Sequence, residues 1–195
     1  MLSKPVMAIL HRDKDILRSF LSELPVGRVS EVFYFENLQR YYRPEMGEEL
    51  YKVFLSLKGF MWRNELKDFK LWAMEWERAY SCHNRRTLNI DPGYVEESHL
   101  VLASSKKRGG RLYLGEGVYA EIEYLFVYER FKPLYWTYGD YRDKRVKSFF
   151  ELVREDFLKE LKLARQREKF VVYRFAKDKL YEEVKPWGLV SEVEA

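Results

Sequence analysis

Side chains that bind ions are concentrated between Arg86 and Arg142 of this 195-residue chain. Cationic and acidic groups alternate there, and tyrosines and tryptophans stand among them. The members are Arg86, Asp91, Lys106, Arg111, Glu121, Asp140 and Arg142. Guanidinium groups bind phosphate or carboxylate through two hydrogen bonds and keep their charge, which makes Arg86 and Arg111 candidates for ligand binding. The mixture predicts a ligand site without identifying a reaction.

Two carboxylates stand two residues apart in a predicted strand from Gly117 to Val127. Residues two apart share a strand face, so Tyr119, Glu121 and Glu123 lie on one side and the alternate residues face the core. Carboxylates about 7 Å apart bind a divalent metal, or divide into an acid and a base where their environments differ. A solvated strand face is the competing interpretation.

Asp91 precedes Pro92 and Gly93, which fit the second and third positions of a type II turn. An aspartate in the first position of such a turn commonly binds the backbone ahead of it, and we favour that role. A metal or a basic substrate is the alternative partner. Asn89 would share a side with Asp91 if a strand extends that far, and a polar row would then run from Arg86 to Asp91.

Several common sites are missing from the sequence. It contains no G-x-x-x-x-G-K-[ST] loop, no G-x-G-x-x-G after a strand and no G-x-S-x-G elbow. Cys82 and His83 are adjacent, which is not a zinc-ligand spacing. These observations argue against P-loop or Rossmann nucleotide binding, a serine nucleophile of that type and a zinc site.

Composition predicts one folded domain. Hydrophobic residues make up 47% of the chain and charged residues 34%, which permits a packed core. The 35 basic and 31 acidic residues are mixed along the chain, whereas nucleic-acid binders usually show a basic stripe. The high charge with few glutamines resembles thermophile proteins. No apolar run approaches the roughly 20 residues of a membrane helix, and no signal peptide is recognised, so we expect a cytoplasmic protein with no membrane partner.

The periodicity of apolar residues predicts an α+β fold. A strand-helix-strand start is expected, with strands at Pro5–His11 and Val29–Phe35 and a helix that begins after Asp13. Further helices are expected over Leu50–Leu57 and Leu66–Tyr80.

From Thr87 the period changes to two, which predicts an antiparallel meander with hairpin turns at Lys107–Gly110 and Gly115–Gly117. A long amphipathic helix, Arg145–Lys169, is expected to cover the sheet. We divide the chain into a single domain, 1–169, and a C-terminal extension, 170–195, with one strand at Phe170–Phe175 and a loose tail from Pro186.

Ordered motifs resemble a bacterial family of domains of unknown function, number 4416, over roughly Pro5–Leu158. They are Tyr41-Tyr42, Glu45-Met46-Gly47, Asn89-Ile90-Asp91-Pro92-Gly93-Tyr94, Leu100–Ser104 with Lys106, Arg111–Leu114, Gly117–Glu121, Trp136–Tyr138 and Asp140–Arg142. The resemblance implies no established activity. Some members are labelled GTP-binding, but this sequence contains no P-loop to support that label. The family pattern adds Glu45, Lys70 and Glu77 to the polar residues above. It usually has threonine at Glu123 and often histidine at Gly110.

The sequence therefore predicts a pocket for a small anionic ligand, in particular a phosphorylated one. Arg86, Lys106 and Arg111 would neutralise the ligand, while Glu45, Asp91 and Glu121 would bind Mg²⁺ or act as acid and base. The remaining candidates for ligand binding are Asn89, Tyr119, Asp140 and Arg142. An RNA- or protein-interaction module without catalysis is the alternative, and a role of the motifs in folding alone is a third.

Overall fold

The N-terminal apolar run forms a strand, β1 (Leu2–His11), in which every residue is buried. Its two faces contact different layers, because Met7 belongs to one core cluster and Val6 to another. A strand that is covered on both faces is apolar at nearly every position instead of alternating. The prediction of a strand over Pro5–His11 is confirmed.

The computed structural model describes residues 1–47 and 49–190, and within them the chain is an α+β fold with a mixed sheet. The other strands are β2 (Val26–Val29), β3 (Tyr51–Leu57), β4 (Phe60–Trp62), β5 (Leu88–Val95), β6 (His99–Ser104), β7 (Leu112–Gly115), β8 (Val118–Val127), β9 (Arg130–Pro133), β10 (Lys169–Ala176) and β11 (Lys179–Pro186). The helices are α1 (Lys14–Ser22), α2 (Glu36–Met46), α3 (Leu66–Ala79) and α4 (Lys144–Gln166), with short 3₁₀ helices at Arg63–Glu65 and Asp140–Arg142.

The helices form a layer on each face of the sheet. Phe20 of α1 and Trp72 of α3 pack with Met7, while Phe150 of α4 packs with Val6 on the opposite face. Asp13 caps α1 by accepting hydrogen bonds from the next backbone N–H groups, as predicted. Among the described residues, no helix is both long and apolar enough to cross a membrane.

The sheet branches beside β1. Strands β3 and β4 both pair with the same edge of β1, and the chain between them contains Gly59 with φ +69°. Beyond them, β2 pairs with β3 and β10 pairs with β4. Because β1 and β2 are each antiparallel to β3, they run in the same direction with β3 between them. The expected strand-helix-strand start is present, with β3 inserted into it.

The helix predicted over Leu50–Leu57 is wrong, since this segment is mostly β3. Nearly all of β3 is buried, so most of its positions are apolar. Such a segment also contains apolar residues three and four apart, which is the spacing expected of a helix. The neighbouring helix α2 comes earlier and contains Pro44. The strand predicted over Val29–Phe35 is reduced to the end of β2 and a single bridge from Phe33 to Lys52.

The antiparallel meander is present, but its order is β5, β6, β8, β7. Gly115–Gly117 forms the expected turn between β7 and β8. Lys107–Gly110 does not close a hairpin, because β6 pairs with β8 and the loop passes to the far side of β8. This loop instead reaches the cleft that is described below.

The C-terminal segment is attached to the main sheet. Strand β10 pairs with β4, and Phe175 stacks on Phe69 of α3 with ring centroids 3.9 Å apart. Strand β11 was not predicted because it is largely exposed and rich in charged residues. Trp187 and Val190, in the predicted tail, pack against the core. Residues 191–195 of that tail lie outside the described residues.

Candidate functional site

The sheet opens between β5 and β6. These strands pair only over Gly93–Val95 and Leu100–Leu102, although β5 stays paired with β1 along its whole length. The free backbone groups of Ile90 are bound by α3 instead. Lys70 Nζ donates to the Ile90 carbonyl oxygen at 3.0 Å, and Ile90 N donates to Glu77 Oε2 at 3.4 Å. Side chains of α3 thus replace a neighbouring strand and leave a cleft in the sheet.

The turn predicted at Asp91-Pro92-Gly93 is wrong, because all three residues lie within β5. Gly93 lies where the backbones of β5 and β6 approach most closely. A Cβ atom there would be 2.3 Å from the Val101 carbonyl oxygen. The glycine therefore permits close contact between strands, and Asp91 is free to point into the cleft.

The cleft has a volume of about 630 Å³. It is lined from α2, β3, α3, β5, β6 and the loop after it, β8 and the 3₁₀ helix Asp140–Arg142. Small-molecule sites commonly have volumes of about 300–1,000 Å³. The opening between the strands is therefore large enough for a metabolite.

Arg86 is the centre of a polar network on one wall. Its Nε and Nη2 donate to the two carboxylate oxygens of Glu45 at 2.6 and 2.8 Å. Its Nη1 donates to Glu77 Oε2 at 2.8 Å and to Asn89 Oδ1 at 2.7 Å. The hydrogen bond from Arg86 lowers the pKa of Glu45. All three guanidinium nitrogens are thus engaged with protein groups.

Asp91 continues this network. Asn89 Nδ2 donates to Asp91 Oδ2 at 3.1 Å, and Lys70 Nζ lies 3.7 Å from Asp91 Oδ1. Burial raises the pKa of Glu77, although Lys70 and Arg86 act in the opposite direction. The wall therefore holds several charges in a fixed arrangement.

A buried ion pair joins Lys52 of β3 to Asp140, and both side chains are less than a tenth exposed. Burial alone would lower the pKa of Lys52, but Asp140 and Asp91 outweigh it and raise the pKa. The ammonium group also lies 5.2 Å from the ring centroid of Tyr141. This pair fixes the 3₁₀ helix against β3.

Glu121 and Glu123 lie together at the base of the cleft, at an irregularity in β8. Ile122 pairs with Val101 and Tyr124 with Leu100, so Glu123 is an extra residue without a partner on β6. This bulge reverses the alternation of faces: Val118 packs with the α3 layer and Tyr124 with the α4 layer. The prediction that Val118 and Tyr124 lie on the same core-facing side of the strand is therefore wrong.

The two glutamates are buried, at 2% and 0% exposure, so the solvated-face interpretation does not hold. Arg111 Nε donates to Glu121 Oε2 at 3.0 Å, and Tyr138 N donates to Glu123 Oε2 at 3.3 Å. Among the described residues, none donates a hydrogen bond to the Oε1 atom of either glutamate. Burial, and then the charge of Glu121, raise the pKa of Glu123 to about 8. The proton that Glu123 retains near neutral pH is then available for a hydrogen bond to Glu121.

The mouth of the cleft is cationic and aromatic. Lys106 Nζ donates to the Tyr41 hydroxyl at 2.6 Å and lies 4.6 Å from the centroid of that ring. Arg108 lies 5.3 Å from the Tyr138 ring centroid, and Arg111 donates to the Tyr138 hydroxyl. Lysine and arginine over tyrosine faces are stabilised by cation–π attraction.

The structure brings most of the predicted site residues to this cleft. Those that line it are Arg86, Asn89, Asp91, Lys106, Arg111, Glu121 and Asp140. Three others do not line it. Glu45 accepts a hydrogen bond from Arg86. Tyr119 packs against Tyr113. Arg142 donates to the backbone carbonyl oxygens of Leu134, Tyr135 and Thr137.

Lys52 also lines the cleft and was missed by the sequence analysis. Its only signal is a lysine inside an apolar segment that was predicted as a helix. Glu123 was set aside on the family pattern, yet it lies beside Glu121 in the cleft. Lys70 and Glu77 also line the cleft, and the family pattern alone had pointed to them.

The acidic groups do not fit Mg²⁺ in this arrangement. Within residues 1–47 and 49–190, no three His, Cys, Asp or Glu side chains are grouped to hold a metal ion. Glu121 is paired with Arg111 and Asp140 with Lys52. Hard divalent cations require several free oxygen ligands, which these paired carboxylates do not offer.

A family model described as Domain of unknown function (DUF4416) matches residues 3–157. The chain belongs to this family. The DUF4416 match contains every element that lines the cleft and ends within α4, before β10 and β11. No curated protein and no solved structure matches the chain.

Proposed function

We propose that the cleft binds a small anionic ligand, in particular a phosphorylated one. The observation that supports this proposal is the mouth, where Lys106, Lys107 and Arg108 follow one another on the loop after β6 and all three are exposed. In the part of the chain that the structure describes, Lys106 has a tyrosine hydroxyl as partner and no carboxylate within ion-pair distance. An anion can therefore bind it without breaking an ion pair.

The arginines have a different role in this proposal. Arg86 and Arg111 were predicted to contact the ligand, but their donors are engaged with carboxylates and other protein groups. They neutralise the buried acids and fix the walls. The anion is bound at the mouth, where the tyrosine rings of Tyr41 and Tyr138 flank the cations.

A thermal-shift screen tests the proposal, with inorganic phosphate, sugar phosphates, nucleotides and Mg²⁺ as probes. A ligand at 100 times its Kd adds about 2.7 kcal/mol of stability, which is roughly 5–10 °C for a chain of this size. We expect an anion to raise Tm in the wild type and the effect to be largely lost in Lys106→Gln.

Lys162→Gln is the matched control, because it removes the same charge from the exposed face of α4. Its ligand-induced shift should equal that of the wild type. If no anion raises Tm, or if both variants respond alike, the proposed function is refuted.

An RNA- or protein-interaction module is the second candidate. It is supported by exposed aromatic side chains near the basic loop, since Tyr41 is 63% and Tyr138 39% exposed. Bases stack on such rings. Salt-dependent binding of an oligonucleotide that weakens in Lys106→Gln would favour this candidate, and no binding at low salt would exclude RNA.

We also propose that the protein is bacterial and cytoplasmic and has thermophile-like stability.

A further inference from the structure

Asp91 is the most accessible acid that lines the cleft. Its side chain is 31% exposed, whereas the other carboxylates of the lining are nearly inaccessible. Glu77 is 6%, Asp140 3% and Glu121 2% exposed at the side chain. A ligand in the cleft therefore meets one carboxylate above all others.

One oxygen of Asp91 is available as an acceptor. Asn89 donates to Oδ2, while Lys70 Nζ is 3.7 Å from Oδ1, beyond hydrogen-bond distance. Lys70 is itself fixed by its hydrogen bond to the Ile90 carbonyl oxygen at 3.0 Å. Arg86 holds Asn89 from the other side. Asp91 is thus positioned by its neighbours and still has lone pairs free for an external donor.

The charges around Asp91 decide which donor suits it. The ammonium group of Lys70 lies beside it, and the guanidinium group of Arg86 is bound to its partner Asn89. Lys70 already places a cation beside the carboxylate, so a neutral O–H donor can complete its hydrogen bonding without a further charge. The carboxylate is therefore suited to hydroxyl groups.

Asp91, Lys106 and Tyr42 line the same cleft, whose volume is about 630 Å³. Lys106 Nζ is 5.9 Å from the Tyr42 ring centroid. Burial, and then the charge of Asp91, raise the pKa of the Tyr42 hydroxyl. A single small molecule can therefore reach both the cation and the carboxylate.

We propose that Asp91 accepts hydrogen bonds from hydroxyl groups of the anionic ligand, so that the cleft selects polyhydroxylated phosphates of the sugar-phosphate class. This inference rests on the proposed binding of an anion at Lys106. It assigns the two ends of the ligand, with the phosphate at the mouth and the hydroxyl groups at β5. Asn89, Lys70 and Arg86 are positioning residues that act through Asp91.

Isothermal titration with two probes tests the inference. Ribose 5-phosphate and pentyl phosphate both contain a phosphate monoester and a five-carbon chain, but pentyl phosphate has no other hydroxyl groups. The wild type should bind ribose 5-phosphate at least about tenfold more tightly, as expected for hydrogen bonds to a charged group. In Asp91→Asn this ratio should fall to within about twofold of unity, and the affinity for pentyl phosphate should not decrease.

Lys106→Gln should weaken both probes by a similar factor and preserve their ratio. Retained binding of pentyl phosphate by Asp91→Asn shows that this variant is folded. If the wild type binds both probes with equal affinity and Lys106→Gln weakens the binding of both, the role of Asp91 is refuted. The proposed function then remains intact. An unchanged ratio in Asp91→Asn has the same meaning. If the wild type binds neither probe, the inference fails together with anion binding.

Discussion

Replacing Glu123 by glutamine should change how the stability of the protein depends on pH. Glu123 is fully buried, and its burial together with the charge of Glu121 raises its pKa to about 8. An unfolded chain would release this proton near pH 4.3. Between these values the folded state holds a proton that the unfolded state has lost, so the contribution of Glu123 to stability is greatest at low pH and falls as pH rises toward 8.

The magnitude follows from the difference between the two pKa values. Each pH unit in this window changes the free energy of unfolding by about 1.4 kcal/mol. Between pH 5 and pH 8 the wild type should lose about 3.5 kcal/mol through this linkage, because the slope decreases near both pKa values. Glu123→Gln removes this titration. Its stability relative to the wild type should therefore increase by about that amount over the same range.

Urea unfolding at pH 5 and pH 8 measures this difference for both proteins. Glu129→Gln, on the exposed turn between β8 and β9, is the matched control and should follow the wild type at both pH values. If the difference in stability between Glu123→Gln and the wild type is the same at both pH values within about 1 kcal/mol, then Glu123 does not retain a proton in the folded state.

Two further substitutions test the packing of the cleft. Gly93→Ala places a Cβ 2.3 Å from the Val101 carbonyl oxygen and should lower the free energy of unfolding in urea by about 1–3 kcal/mol. Gly109→Ala is the control and should be nearly neutral, because nothing lies within 4 Å of its Cβ position. Equal effects of the two substitutions would contradict the close contact of β5 and β6. Lys52→Met leaves buried Asp140 without its partner and should lower the free energy of unfolding by about 3–5 kcal/mol. Adding Asp140→Asn should restore part of that stability. A Tm of Lys52→Met equal to that of the wild type would contradict the ion pair.

Elements with one clear periodicity were predictable. The apolar stripes of α3 and α4 and the capping aspartate of α1 depend on residues close in sequence, and the structure contains all three elements. Strand β3 was not predictable in this way, because its neighbours β1 and β2 and the helix layers bury it almost completely. Its apolar residues therefore lack the alternation that distinguishes a strand from a helix.

The segment Asp91-Pro92-Gly93 shows the limit of local rules. Proline followed by glycine favours a turn in isolation. In the folded chain Pro92 lies opposite Met7 of β1, and Gly93 permits the close approach of β6. The pairing partners come from distant parts of the sequence, so the tertiary contacts override the turn preference.

The sequence by itself determined which residue types this protein has for binding, since the alternation of cationic, acidic and aromatic side chains after Arg86 is visible without coordinates. Only the tertiary structure decided which of them are free to act. The separation of β5 from β6 exposes Asp91, while ion pairs formed across distant elements engage Arg86 and Arg111. Charge can be read from composition, but the availability of a charge depends on the partner that folding places beside it.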